Sequence, residues 1–151
     1  MKRNQALIPL SHDHQHGLAI SHELRQVSAE EAAVARDKFL AFWNVEGRHH
    51  FRIEEEVLLP AVAHALPPTH DAVLRVLSDH VEIRRRAADL GAAAVPPLGD
   101  LRALGDSLER HIRHEERVLF PLIEESLSGP ELESLGASVE RAERRRGDAG
   151  P

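Results

Sequence analysis

The spacing of apolar positions predicts helix through almost the whole chain. Leu101, Leu104, Leu108, His111, Glu115, Val118 and Leu122 recur at intervals of three and four, the seam of a helix packed in a bundle. A His and a Glu stand in the middle of that otherwise apolar row. A second row repeats the arrangement with Trp43, Gly47, His50, Glu54, Val57 and Ala61. Val73, Val76, Leu77, His80, Ile83 and Ala87 share a face in a third segment, and His14, Gly17, Leu18, Ile20, Leu24 and Val27 line a first. Prolines and glycines separate these rows. The elements expected are a helix from about Ser11 to Ser28, a long one from Ala29 to Ala65 holding Gly47 and Pro60, a third from Thr69 to Ala94, a fourth from Asp100 to Leu127, and a short fifth opened by Pro130. From Gly147 onward a disordered tail is expected. Strand-type alternation is absent, so the class is all-α, with one domain over residues 1–146.

Residues 50–60 read HFRIEEEVLLP and residues 111–121 read HIRHEERVLFP, with seven of eleven letters identical. Each copy is preceded by an Asp-His pair, at 13–14 and 79–80. The chain is therefore internally duplicated, and two helical hairpins placed face to face make a four-helix bundle. Side chains four apart on a helix lie on one side, one turn from each other. His50 with Glu54, and His111 with Glu115, are thus paired donors, while His14 and His80 sit on the inner faces of the other two helices. Burying a lone carboxylate costs several kcal/mol even after relaxation. Two carboxylates among four imidazoles need positive charge between them, and a metal ion supplies it.

Imidazole and carboxylate donors suit iron, manganese or zinc. There is no Cys, which excludes disulfides, thiolate zinc sites and iron–sulfur clusters. Six donors exceed a tetrahedral zinc site with an open position; they fit two metals sharing carboxylates, or one crowded six-coordinate metal. The order and spacing here, His-x-x-x-Glu, match the Glu-x-x-His pairs of ferritin-like proteins poorly, and the His-Glu-x-x-His signature is absent. There is no Tyr either, which removes tyrosyl-radical chemistry.

The combined pattern, two HxxxE repeats each followed by LLP or LFP and each preceded by Asp-His, resembles the hemerythrin HHE cation-binding domain over roughly residues 8–127. The resemblance implies an antiparallel up-down-up-down four-helix bundle around non-haem iron, as two Fe with an oxo or hydroxo bridge. Carried over by position, the metal ligands are His14, His50, Glu54, His80, His111 and Glu115. Two departures stand out from the oxygen-carrying hemerythrins. Arg84 occupies the place of a second third-helix His, and both the fourth and fifth residues after His111 are acidic, Glu115 and Glu116. One iron is then short of a nitrogen ligand, which Glu46, Glu116, His16 or water is left to replace. Zinc and manganese stay open as alternatives to iron.

The remaining His residues, including His12, His22, His49, His64, His70 and His114, read as surface or loop positions. Glu55, Glu116, Asp13 and Asp79 read as solvent-facing or ion-paired, Gly47 as a packing position, and Phe39, Trp43, Phe51 and Phe120 as core. A formal charge of −6 argues against nucleic-acid binding. No apolar run approaches the ~20 residues of a membrane span, no secretion signal follows Lys2 and Arg3, and a cytoplasmic location is expected. The expected protein is a metal binder rather than a dedicated enzyme. It would meet dioxygen, peroxide or nitric oxide in sensing, redox or detoxification, with a homodimer left open. The second reading is a module that stores, delivers or senses iron or another divalent metal without turnover; a third is a structural bundle with an incidental site.

Overall fold

A computed structural model describes residues 2–149, with side chains through Arg146. Five helices form an all-helical bundle, and among the described residues there is no strand. Helix α1 is Ile8–Arg25, with Pro9 in its first turn, where a missing N–H is harmless. Ahead of it, Asn4 caps a short 3₁₀ turn by accepting the Ala6 N–H at 2.9 Å. Helix α2 covers residues 32–62, α3 is Asp71–Ala92, α4 covers residues 98–126, and α5 is Gly129–Ala149. His70 caps α3, its Nδ1 accepting the Ala72 N–H at 3.1 Å.

Helices α2 and α4 are not regular. Wide π-type turns interrupt them at Trp43–Gly47, Glu54–Leu58 and Glu115–Leu119. The N–H groups of Arg48, Leu59 and Phe120 reach back five residues, to the carbonyls of Trp43, Glu54 and Glu115. Each wide turn inserts one residue and slides the inward face along by one. The rows expected from strict spacing therefore fail beyond the two Glu positions. In α2 it is Leu58 and Val62 that are buried, not Val57 and Ala61; in α4 it is Leu119 and Ile123, not Val118 and Leu122. Pro60 and Pro121 stand directly behind these turns. The Glu116 carbonyl loses both natural donors, because Phe120 bonds Glu115 and Pro121 has no N–H. Arg3 Nη2 takes that carbonyl at 2.7 Å.

The interior divides into two apolar clusters. One holds Leu10 of α1, Leu58 and Val62 of α2, Val73 and Val76 of α3, and Leu119, Phe120 and Ile123 of α4. The other holds Ile20 and Leu24 of α1, Phe39, Trp43 and Phe51 of α2, Ile83 and Ala87 of α3, and Leu101 through Ile112 of α4. On each of the four helices the predicted donors fall between these two sets. Packing is closest between α1 and α4, where a Cβ at Gly105 would lie 2.8 Å from the Ser21 carbonyl oxygen.

Helix α5 is longer than the short helix expected. Its Leu132, Leu135, Val139 and Ala142 keep a three-and-four spacing and bury against the first cluster, and that face carries the helix forward. The helix is described through Ala149; of the tail expected from Gly147, residues 150–151 lie outside the described residues. No described helix is long and apolar enough to cross a membrane.

The one-residue slip makes a direct prediction. Leu119→Ala, at a fully buried site, should cost roughly 2–5 kcal/mol in urea unfolding. Val118→Ala, at a position 42% exposed, should stay within about 1 kcal/mol. Equal costs at the two positions would contradict the wide turn.

Candidate metal centre

All six predicted donors are brought together. His14, His50, Glu54, His80, His111 and Glu115 are each at most 6% exposed. Their donor atoms fall into two overlapping groups, His14, His50, Glu54 and Glu115, and then Glu54, His80, His111 and Glu115, each with its atoms within 4.8 Å of one another. Both groups use the same two carboxylates.

The local reason is helical register. His50 and Glu54 are one turn apart on α2, as are His111 and Glu115 on α4, so each pair points to one level of the bundle. His14 and His80 arrive from α1 and α3. Aromatic rings fix two of the imidazoles: Phe51 stacks on His80 at 3.8 Å, and Phe120 lies parallel to His14 at 5.4 Å.

Every donor imidazole is held from behind by a carboxylate on its Nδ1. The His14 Nδ1 is 2.6 Å from Glu116, and the His80 Nδ1 is 2.6 Å from Glu55. His50 reaches Asp13 at 3.0 Å and His111 reaches Asp79 at 3.3 Å. Such a carboxylate accepts the Nδ1–H, fixes the tautomer and turns the Nε2 lone pair inward, the usual support of a metal-ligating His. The four contacts obey the internal duplication: α1 is supported from α4 and α3 from α2, while α2 and α4 draw on the Asp before the His of α1 and α3. Sequence reasoning favoured solvent or ion pairs for Asp13, Glu55, Asp79 and Glu116 over this supporting role; the geometry gives them the support of the imidazoles together with ion pairs. The signal was present, since each is adjacent in sequence to a predicted donor within the repeat.

Arginines complete this outer ring. Arg84 binds Glu55 at 3.0–3.1 Å, so the residue that departs from the oxygen carriers braces the support of His80. Arg3 binds Glu116 at 2.9 Å, and Arg75 binds Asp79 at 3.1 Å. Asp13 is held at 3.3 Å by Arg146 of α5, beside Glu143. Glu46 and His16 pair with each other at 2.6 Å, half exposed, and belong to neither donor group. His12 and His22 lie at the surface, His64 pairs with Glu131 at 3.0 Å, and His114 bonds the Ala72 carbonyl at 3.0 Å.

A metal fits what the inner atoms lack. Both oxygens of Glu54, both of Glu115, and the Nε2 atoms of His80 and His111 are buried without a hydrogen bond. Some approach closely, as His14 Nε2 does to Glu115 at 2.9 Å, but without hydrogen-bond geometry for the carboxylate. The Nε2 atoms of His14 and His50 face each other at 3.0 Å while both Nδ1 atoms engage carboxylates. Two lone pairs so placed repel unless a cation lies at the meeting point. Unpaired buried acceptors of this kind cost about 1–3 kcal/mol each, and more when charged. One layer carrying six of them is arranged for cations.

The chain matches the Hemerythrin HHE cation binding domain family over residues 9–123. It belongs to that family. No match was found among the curated proteins or the solved structures. As a hemerythrin-family member the chain is a cation-binding protein, and its His and Glu groups are the place where a cation can be held.

Without metal, protons take the cations' role. Burial pushes His50 down, but the Glu54 charge and the Asp13 hydrogen bond raise it to about 10. His111, likewise opposed by burial and lifted by Glu115 and Asp79, rises to about 9. A His raised in the folded state stabilises fully below its ordinary 6.5, and that stability fades as pH climbs through 9–10. Glu55 is lowered to about 2 by His80, and Glu116 to about 2 by His14 against the opposing effect of burial. Their contribution is present above 4.5 and lost as pH falls through about 2. Metal-stripped protein should therefore melt highest between about pH 4.5 and 6.5 and lose Tm steadily toward pH 9–10. Metal-loaded protein, whose ligands need no protons, should not show the alkaline decline. Parallel calorimetric scans of both forms check this.

Proposed function

We propose that this hemerythrin-family chain is a non-haem iron protein holding two irons, with His14, His50, Glu54, His80, His111 and Glu115 as ligands. The single observation that carries the reading is the sharing of Glu54 and Glu115 between two groups of four donors. Each group pairs two imidazoles with the same two carboxylates, which is the donor set of two metals joined by carboxylates. Two imidazoles and two shared carboxylates leave each ion below six-coordination, with room for exogenous ligands. An antiparallel up-down-up-down bundle is part of the proposal. It is supported by the order in which the helices meet the two apolar clusters: α1 and α3 meet the Leu10 cluster first, and α2 and α4 meet it last.

Iron so held would supply reversible binding and one-electron chemistry toward dioxygen, peroxide or nitric oxide. The protein's own part is to hold the imidazole tautomers through Asp13, Glu55, Asp79 and Glu116, and to exclude bulk water by the two apolar clusters. Anaerobic iron loading followed by air should give about two irons per chain and near-ultraviolet charge-transfer bands of a bridged ferric pair. Full iron occupancy with a flat spectrum counts against the paired site. Glu55→Ala and Glu116→Ala should each lower iron affinity by roughly ten- to a hundredfold without removing a ligand.

The unpaired buried atoms also support a second reading, a module in which metal binding chiefly governs folding. It predicts metal-dependent melting with no consumption of oxygen or peroxide, whereas turnover favours the first reading.

A further inference from the structure

A cavity of about 460 Å³ opens beside the donor layer. Its walls are Phe42, Trp43, Phe51, Leu108 and Ile112, and His50 and His111 lie at its inner end. His12, His16 and Glu46 stand among the polar residues that line it, the last two paired at 2.6 Å.

The duplication is imperfect beside the cavity. Aligning the two halves by their Asp-His pairs and HxxxE repeats sets Gly17 opposite Ile83 and Gly47 opposite Leu108. Neither glycine position is empty: a Cβ at Gly17 would lie 2.8 Å from Ile112 and one at Gly47 2.6 Å from the Trp43 ring, so the two glycines let these cavity-wall side chains pack against the helix backbones. The wide turn at Trp43–Gly47 has no partner either, because α4 is regular from Leu98 to His114. Around Asp79 lies a second hollow of about 410 Å³, lined by Arg75, Ser78, Glu82, Arg86 and Arg110 among others, and no donor imidazole is among its walls. The two hollows are similar in volume and differ in lining: the first has donor imidazoles and aromatic rings in its walls, the second is polar and has neither.

The volume is out of scale with a diatomic or peroxide ligand. At about 30 Å³ per water it corresponds to roughly fifteen waters, in the range of pockets that hold small organic molecules. Three aromatic rings and two aliphatic side chains form the walls, which suits a flat apolar body. Polar groups lie at both ends: imidazoles inside, and the His16–Glu46 pair toward solvent. We propose that this cavity binds a small neutral aromatic molecule carrying an oxygen function, a phenol in the simplest case, beside the donor layer. The proposal deepens the reading of that layer as a metal centre, since it names an organic molecule seated next to it.

Trp43 is the chain's single Trp and lies in the cavity wall, so it reports occupancy directly. Iron-loaded full-length protein would be titrated with 4-bromophenol, whose heavy atom quenches indole emission on contact, with iodide as the collisional comparison. Saturable quenching by 4-bromophenol, against a linear response to iodide, is expected. Gly17→Ile and Leu108→Phe, each checked for native circular dichroism, should weaken half-saturation by at least about tenfold. Linear quenching of the parent protein overturns the proposal, as does saturable quenching that both folded variants retain. If neither variant folds, the anomalous bromine signal in a soaked crystal decides: a peak between Trp43 and Leu108 supports the site, and a peak elsewhere or none overturns it. Stronger competition by octanoate than by para-cresol would also overturn it, because the site would then favour an aliphatic anion. Iron content measured on the same samples keeps the two claims apart. Linear quenching with full iron defeats the cavity alone, and saturable quenching without iron defeats the metal reading alone.

Discussion

Everything in this bundle is arranged around one electrostatic constraint. Two apolar clusters are separated by a layer of four imidazoles and two carboxylates, and that layer has too few internal hydrogen bonds to satisfy its own atoms. Such a layer tolerates only a state in which cations, metal or proton, sit among the donors. The surrounding features follow as responses to this. Phe51 and Phe120 fix imidazole planes, four carboxylates fix imidazole tautomers, and arginines fix the carboxylates. Each ring of residues restrains the one inside it, so geometry at the centre is set by packing and charge far from it.

Much of this was legible in the letters. The His and Glu in otherwise apolar rows, and the repeat of those rows, pointed to all six inner positions, because helical periodicity alone brings residues four apart to one side. The helix content and the four helices that carry the donors were legible for the same reason, whereas the length of α5 was not. What periodicity misses is a change of period. The turns at Glu54–Leu58 and Glu115–Leu119 add one residue each, so Val57 and Val118 lost their expected places to Leu58 and Leu119. Composition carries little trace of such turns, although a Pro six residues after each Glu was a clue to broken backbone pairing. The roles of Glu55 and Glu116 were hidden by the same local logic. Each sits beside the inner face on its own helix and reaches an imidazole of another, a contact that only tertiary placement supplies.

The duplication explains both the symmetry and its failures. Imidazole supports are exchanged between helices in matching fashion, but the arginines behind them are not. Asp79 takes its guanidinium from Arg75 on its own helix, while Pro9 occupies the equivalent place in α1 and Asp13 depends on α5. Gly17 and Gly47, which stand where the second half has Ile83 and Leu108, follow the same rule. The inner ring is common to both halves, and divergence is confined to what stands behind or beside it.

Arg3 and Arg146 both fall outside residues 9–123, the span that carries the family pattern. One grips the support of His14 and the other the support of His50, so two flanking segments, distant in sequence, close over the same pair of imidazoles. A fragment cut to the matched span would retain every inward-pointing donor and its supporting carboxylate yet lose the arginines behind two of the four imidazoles. Family membership and a well-ordered centre are thus separate properties of this chain, written in different stretches of it.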